Sequence, residues 1–256
     1  MMNDIIDFED YSILNNNRLL HDELGLEDIN PRRSTNGKKL YIMLFHAVNL
    51  VSKVLSTVQR SSYSHAGVSL YENVSPFVDN QMGNEFRFLT LDDISSEKDF
   101  QRGRKIDVYG YPLTEMQWKQ ADKLIKYYIK RYKDGKFKYD TGKLIDILLR
   151  KNTIRGNIPE KEIKQYFDNS KLQSYDNFIC SSFVLNVLIQ VSPRAKKWVE
   201  EFNLRWDTFT PSDFLKIPYL EPEYRWSVKN GREDIPREFF LTEKHNLDIS
   251  LKGLYK

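Results

Sequence analysis

Cysteine occurs once in this chain of 256 residues, at position 180, and histidine four times. A single cysteine excludes a disulfide within the chain and any zinc cluster built on cysteines. The histidines, His21, His46, His65 and His245, are scattered without HExxH or similar ligand spacing, so no metal is expected. A large excess of charge of one sign is missing too. Lysine plus arginine number 39 against 36 aspartate plus glutamate, and no dense basic block carries interleaved aromatics, which argues against a nucleic-acid partner. No apolar run reaches the length of a membrane span, so stable membrane insertion is not expected. The acidic start, Met1 to Asp10, lacks a basic n-region before an apolar core and does not read as a secretory signal. A cytoplasmic, reducing location is the expectation, with packaging into a virus particle as the alternative.

What is present is a folding composition. Hydrophobic residues make up 40% and aromatics 13%, enough for a sizeable core. Residues 1–38 are polar and read as an N-terminal extension that ends in the turn-rich Asn30–Gly37. The expected core domain covers 39–215, and 216–256, with Pro218, Pro222 and Pro236, reads as a C-terminal segment wrapping over the surface. Within the core, Lys39–Phe45 has the short apolar run of a buried strand. Leu50–Val58 has helical spacing. Strands are expected in Ser61–Tyr71, Pro76–Met82, Glu85–Leu91 and Lys105–Tyr111. Pro112 opens an amphipathic helix, with Thr114 and Gln117 spaced as a capping box and Trp118, Ala121, Leu124, Ile125 and Tyr128 as its apolar stripe. A further helix is expected near 141–149, before a charged, irregular insert at 151–170.

The chain's organising stretch is Tyr175–Gln190. Polar, turn-prone Ser174, Asp176 and Asn177 lead into Phe183, Val184, Val187 and Leu188, which share one helical stripe. Cys180 therefore falls in the first turn of a helix. Unpaired backbone N–H groups and the positive end of the dipole favour a thiolate there. The competing reading is a small buried hydrophobe, since free cysteines are among the most buried residues.

Thiol hydrolysis needs a thiolate, an imidazole to move its proton and a polar group to orient the ring. His65, at the start of a strand, is the candidate imidazole. If that strand pairs antiparallel with the next, a polar side chain there can face the ring. Asp79 and Asn80 point to opposite faces, so only one can serve. Asp79 is preferred, with Asn80 and Glu85 as alternatives. The competing reading for Asp79 and Asn80 is a solvated loop.

Taken in order, Ser64-His65-Ala-Gly-Val-Ser-Leu, Phe77-Val-Asp79, Phe178-Ile-Cys180-Ser-Ser-Phe-Val-Leu and Thr210-Pro-Ser-Asp-Phe214 resemble the permuted papain-like cysteine hydrolases. This is the YiiX-like branch of the NlpC-type amidase superfamily, related to lecithin:retinol acyltransferase-like proteins. In that branch the histidine strand precedes the cysteine helix. The resemblance covers about 39–215. It implies an α+β fold in which an antiparallel half-barrel packs against the cysteine helix. It also implies thiol-dependent chemistry at an amide or ester without a cofactor. Cys180 would match the nucleophile, His65 the base and Asp79 the variable third group. Ile179 stands where peptidoglycan-cleaving members commonly have aspartate, and the third position is not histidine, departures that bear on a cell-wall substrate more than on the hydrolase chemistry.

The expected function is a cysteine amidase or peptidase acting on a peptide, a peptidoglycan or an acyl substrate. One alternative is acyl transfer to or from lipids on the same fold. Another is a catalytically idle structural module, such as a phage virion component docked through its N- and C-terminal segments. His46 reads as a strand-end histidine with its needs satisfied, and His21 and His245 as solvent-facing. Trp118, Tyr127, Tyr128 and Tyr132 read as core and helix surface. Lys123–Arg131, a basic amphipathic stretch, reads as a solvated face sooner than a membrane contact.

Overall fold

A computed structural model describes residues 37–49, 53, 61–81, 85–134, 179–201, 209–236 and 238–239. Seven antiparallel strands form one open sheet: β1 (Lys38–His46), β2 (Tyr63–Ser69), β3 (Phe77–Gln81), β4 (Glu85–Leu89), β5 (Lys105–Leu113), β6 (Glu221–Ser227) and β7 (Gly231–Glu233). Their order is β4-β3-β2-β1-β5-β6-β7. Five helices complete the described fold: α1 (Leu91–Ser95), α2 (Lys98–Gln101), α3 (Glu115–Lys133), α4 (Cys180–Val191) and α5 (Pro193–Glu201), with a 3₁₀ turn at Pro211–Lys216. The fold is α+β.

The central strand explains its own sequence. β1 is covered on both faces, so its apolar residues run without interruption instead of alternating with polar ones. Leu40, Ile42 and Leu44 point into a core shared with Leu124 and Tyr128 of α3 and Phe183, Val184 and Leu188 of α4. Tyr41, Met43 and Phe45 point the other way, into a smaller core closed by Ile94 of α1 and Phe100 of α2. Burying such side chains contributes about 1.5–3 kcal/mol each. Helix α3 begins as its spacing predicts: Thr114 Oγ1 accepts from the Gln117 N–H at 3.2 Å and Gln117 Oε1 accepts from the Thr114 N–H at 2.8 Å.

The strands expected in 39–111 are all present, within a few residues. Two elements after Pro211 were not expected. β6 and β7 extend the sheet beyond β5, so part of the segment read as a surface wrap pairs as strand. The prolines mislead: Pro222 is the second residue of β6, opposite Tyr109 and next to the register shift between Val108 and Tyr109, where a missing N–H is tolerated. Helices α1, α2 and α5 were also unforeseen. The expected helix at 50–58, the helix near 141–149, the insert at 151–170 and the N-terminal extension lie outside the described residues, apart from isolated positions. No helix among the described residues is long and apolar enough to cross a membrane.

Candidate functional site

The site forms where β3 leaves β2. The two strands pair only at Gly67↔Asp79 and Val68↔Val78, while β3 stays with β4 along its whole length. The opening turn of α4 meets β2 beside this gap, where the Ala66 backbone N–H helps to lower the Cys180 thiol. Cys180 is the first residue of α4, after Ile179 in extended conformation. Its first turn is held by the two serines that follow. Ser182 Oγ accepts from the Ile179 N–H at 3.0 Å, and Ser181 Oγ donates to the Phe209 carbonyl. The second bond ties the cysteine helix to the Thr210–Phe214 turn. There Asp213 Oδ2 accepts from the Thr210 N–H at 2.8 Å and from its hydroxyl at 2.6 Å.

His65 stands on β2 opposite Phe45, and the two rings meet edge to face with centroids 4.9 Å apart. Its Nε2 lies 3.1 Å from Asp79 Oδ2. Cys180 and the same ring act on each other's charge, the sulfur raising the imidazole and the imidazole lowering the thiol. With Nε2 committed to the carboxylate, Nδ1 is the nitrogen left for the sulfur. Cys180, His65 and Asp79, expected to converge from the sequence, are thus in one contiguous chain of contacts. Asp79 is the strand neighbour whose face matches that of His65, because it pairs with Gly67, two residues on. Asn80 is on the opposite face by the same pleat. Of the Asn80 and Glu85 side chains nothing is described. The loop reading of Asp79 is corrected: it is a strand residue with a fully buried side chain.

A buried carboxylate needs donors, and sequence reasoning missed the main one. Arg87 on β4 faces Asp79 directly. Its Nε donates to Oδ1 at 3.0 Å and its Nη2 to Oδ2 at 2.7 Å, while Nη1 donates to Glu97 at 2.6 Å. The signal was available. Asp79 and Arg87 are equidistant from Gly83, so a tight hairpin centred there puts opposite charges across from each other. Arg104 closes the back of the site, its guanidinium 5.4 Å from the Phe45 ring centroid and 5.7 Å from that of Phe100.

The electrostatics follow from these contacts. Burial alone would push the Cys180 thiol up, but the His65 charge and hydrogen bond, with the N–H groups of Ala66 and Ser181, outweigh it and hold the thiol below its ordinary value. Burial would likewise lower the His65 imidazole; the Cys180 and Asp79 charges overcome this and raise it to about 9. Asp79 is held low by His65 and Arg87 against the opposing effect of burial. All three shifts favour a thiolate–imidazolium pair backed by an ionised carboxylate. Cys180 is 5% exposed and the His65 side chain 12%, so a substrate's approach is restricted.

His46 belongs to a separate cluster. Its Nε2 lies 3.0 Å from Asp107 Oδ2, and that carboxylate also accepts from Tyr63 at 2.7 Å and from Arg225 Nε and Nη2 at 2.6 and 2.8 Å. Asp107 is held at about 2 by these donors, against burial. It joins β2, β5, β6 and the end of β1. His46 is a satisfied strand-end histidine, as its sequence context suggests. Tyr128 is core, and Lys119, Lys123, Lys126 and Lys130 lie on the exposed face of α3. Among the described residues no group of three or more His, Cys, Asp or Glu side chains could hold a metal ion. No model of a known protein family matches the chain, and no curated protein matches it.

Proposed function

We propose that this protein is a thiol-dependent hydrolase that cleaves an amide bond, with the permuted papain-like arrangement of histidine strand before cysteine helix. The observation that carries the reading is the chain from the thiol of Cys180 through the His65 imidazole to Asp79 Oδ2, 3.1 Å from Nε2. Cys180 is the nucleophile, His65 the acid–base group and Asp79 the residue that fixes the ring's tautomer and orientation.

In this reading the Cys180 thiolate attacks the amide carbon, and the carbonyl π electrons move onto oxygen. The backbone N–H groups at the start of α4 face the oxyanion. The intermediate collapses as the imidazolium gives its proton to the departing nitrogen, leaving an acyl thioester and an amine. A water then attacks the thioester while His65 takes its proton, which releases a carboxylic acid and regenerates the thiolate. No step calls for a cofactor. A peptide is the favoured substrate class, since Ile179 occupies the place where peptidoglycan-cleaving enzymes commonly carry aspartate.

The test is hydrolysis of a panel of peptide and peptidoglycan-fragment amides by the wild type, Cys180→Ala and His65→Ala. Turnover lost in both variants with the fold intact supports the reading; turnover retained in Cys180→Ala rejects it. The slight exposure of Cys180 favours one second reading, a catalytically idle module that keeps the constellation as a buried polar anchor. That reading requires the thiol to resist iodoacetamide until the chain unfolds.

A further inference from the structure

The residues behind the imidazole set the charge of the site. Cys180 approaches from α4, His65 from β2, Asp79 from β3 and Arg87 from β4, while Glu97 lies beyond Arg87 at the start of α2. Arg104 and Asp99 sit nearby, paired at 3.7 Å. A thiolate, an imidazolium and a carboxylate together carry one net negative charge in a largely buried site. Such a charge is costly unless it is balanced. Arg87 balances it through two hydrogen bonds to a carboxylate that has no exposed surface.

We propose that Arg87 is a positioning residue that holds Cys180 in its thiolate form, acting through Asp79 and His65, and that Glu97 sets how much of its charge reaches the pair. The inference rests on the proposed thiolate chemistry at Cys180. Arg87 acts in two ways. The forked guanidinium fixes both oxygens of Asp79, so Oδ2 stays aligned with Nε2 of His65. Its positive charge also cancels the repulsion that Asp79 exerts on the sulfur across the ring. Without Arg87, Asp79 would still hold the proton on His65, but the thiolate would face an uncompensated carboxylate. Glu97 draws on Arg87 from the far side and works in the opposite direction.

The experiment follows iodoacetamide alkylation against pH, which reads one site because the chain has one cysteine. Arg87→Met should move the midpoint up by about one pH unit and slow alkylation at pH 7 by roughly tenfold, as expected for a unit charge at this range in a protein. Arg87→Lys, which keeps the charge but not the two-pronged grip on Asp79, should fall between wild type and Arg87→Met. Glu97→Gln, at a partly exposed position that tolerates change, should move the midpoint down by a few tenths of a unit. A folded Arg87→Met protein with an unmoved midpoint overturns the proposal. Should that variant fail to fold, a Glu97→Gln midpoint that stays put or rises overturns it. His65→Ala separates the two levels. If His65→Ala shifts the midpoint and the Arg87 and Glu97 variants do not, only the role of Arg87 falls. If His65→Ala leaves it unmoved, the underlying thiolate reading falls with it.

Discussion

Gly67 stands directly opposite Asp79 across β2 and β3, and a Cβ at Gly67 would lie 3.4 Å from Asp79 Cβ, 3.4 Å from the Phe45 ring and 3.2 Å from the Val78 carbonyl. Those neighbours are the supports of His65: Asp79 bonds its Nε2 and Phe45 meets its ring. Gly67→Ala therefore forces β2 and β3 apart by a few tenths of an ångström at the one place where histidine and carboxylate are aligned. A loss of about 1–3 kcal/mol in stability is expected from such overpacking. Turnover should fall more than tenfold with little change in KM, because misalignment affects proton transfer more than binding. Denaturant unfolding and steady-state kinetics check both.

Asp79→Asn keeps the shape of the side chain and removes its charge. The neutral amide can still accept from His65, as neutral third groups do in cysteine enzymes, so kcat should drop by about 10- to 100-fold and not to zero. Arg87 then faces a buried position without its anion, and stability should fall by about 3 kcal/mol. Parallel measurement of kcat and unfolding free energy separates the two effects.

The fold around this pair was largely legible from residue order. Period-2 and continuous apolar runs give β1 to β5, and the Thr114–Gln117 spacing gives the start of α3. Face alternation was enough to choose Asp79 over Asn80. Arg87 was not read because a lone arginine between two phenylalanines looks like an exposed edge residue until strand register is known. β6 was hidden by Pro218 and Pro222, whose ring chemistry argues against strand although one sits at a tolerated strand start. The short helices α1 and α2 have too few turns to show a period.

Turnover should depend on pH with an alkaline limb near 9. Above that value His65, raised from its ordinary 6.5 to about 9, loses the proton that the proposed mechanism gives to the departing amine. The linked stability has the same sign. A histidine whose folded value is raised contributes fully below its unfolded value and loses that contribution as pH rises through about 9. His65→Ala should abolish this alkaline loss in a pH series of unfolding free energies.

Asp107 should matter for stability and not for the thiol. Replacing it with Ala leaves Arg225 buried without its anion and frees Tyr63 and His46, at a cost of about 3–5 kcal/mol. Its folded value near 2 lies below the ordinary 3.8, so its contribution is complete above that ordinary value and disappears as pH falls through about 2. His46→Gln, which keeps an acceptor and a donor beside Asp107, should leave the Cys180 alkylation rate within about twofold of wild type, since it has no contact with the sulfur. Acid unfolding and alkylation rates test the pair of expectations.

The most direct measurement is the ultraviolet absorbance of the thiolate, titrated in the folded protein and corrected with Cys180→Ser. It needs no reagent to reach the sulfur, and the chain has no second thiol to confuse the signal. The account predicts half-ionisation clearly below the ordinary thiol value of about 8.5, returning to that value or above it when the chain is unfolded in urea or His65 is replaced by Ala. A folded thiol that ionises at or above its unfolded value would contradict the activation of Cys180 by His65.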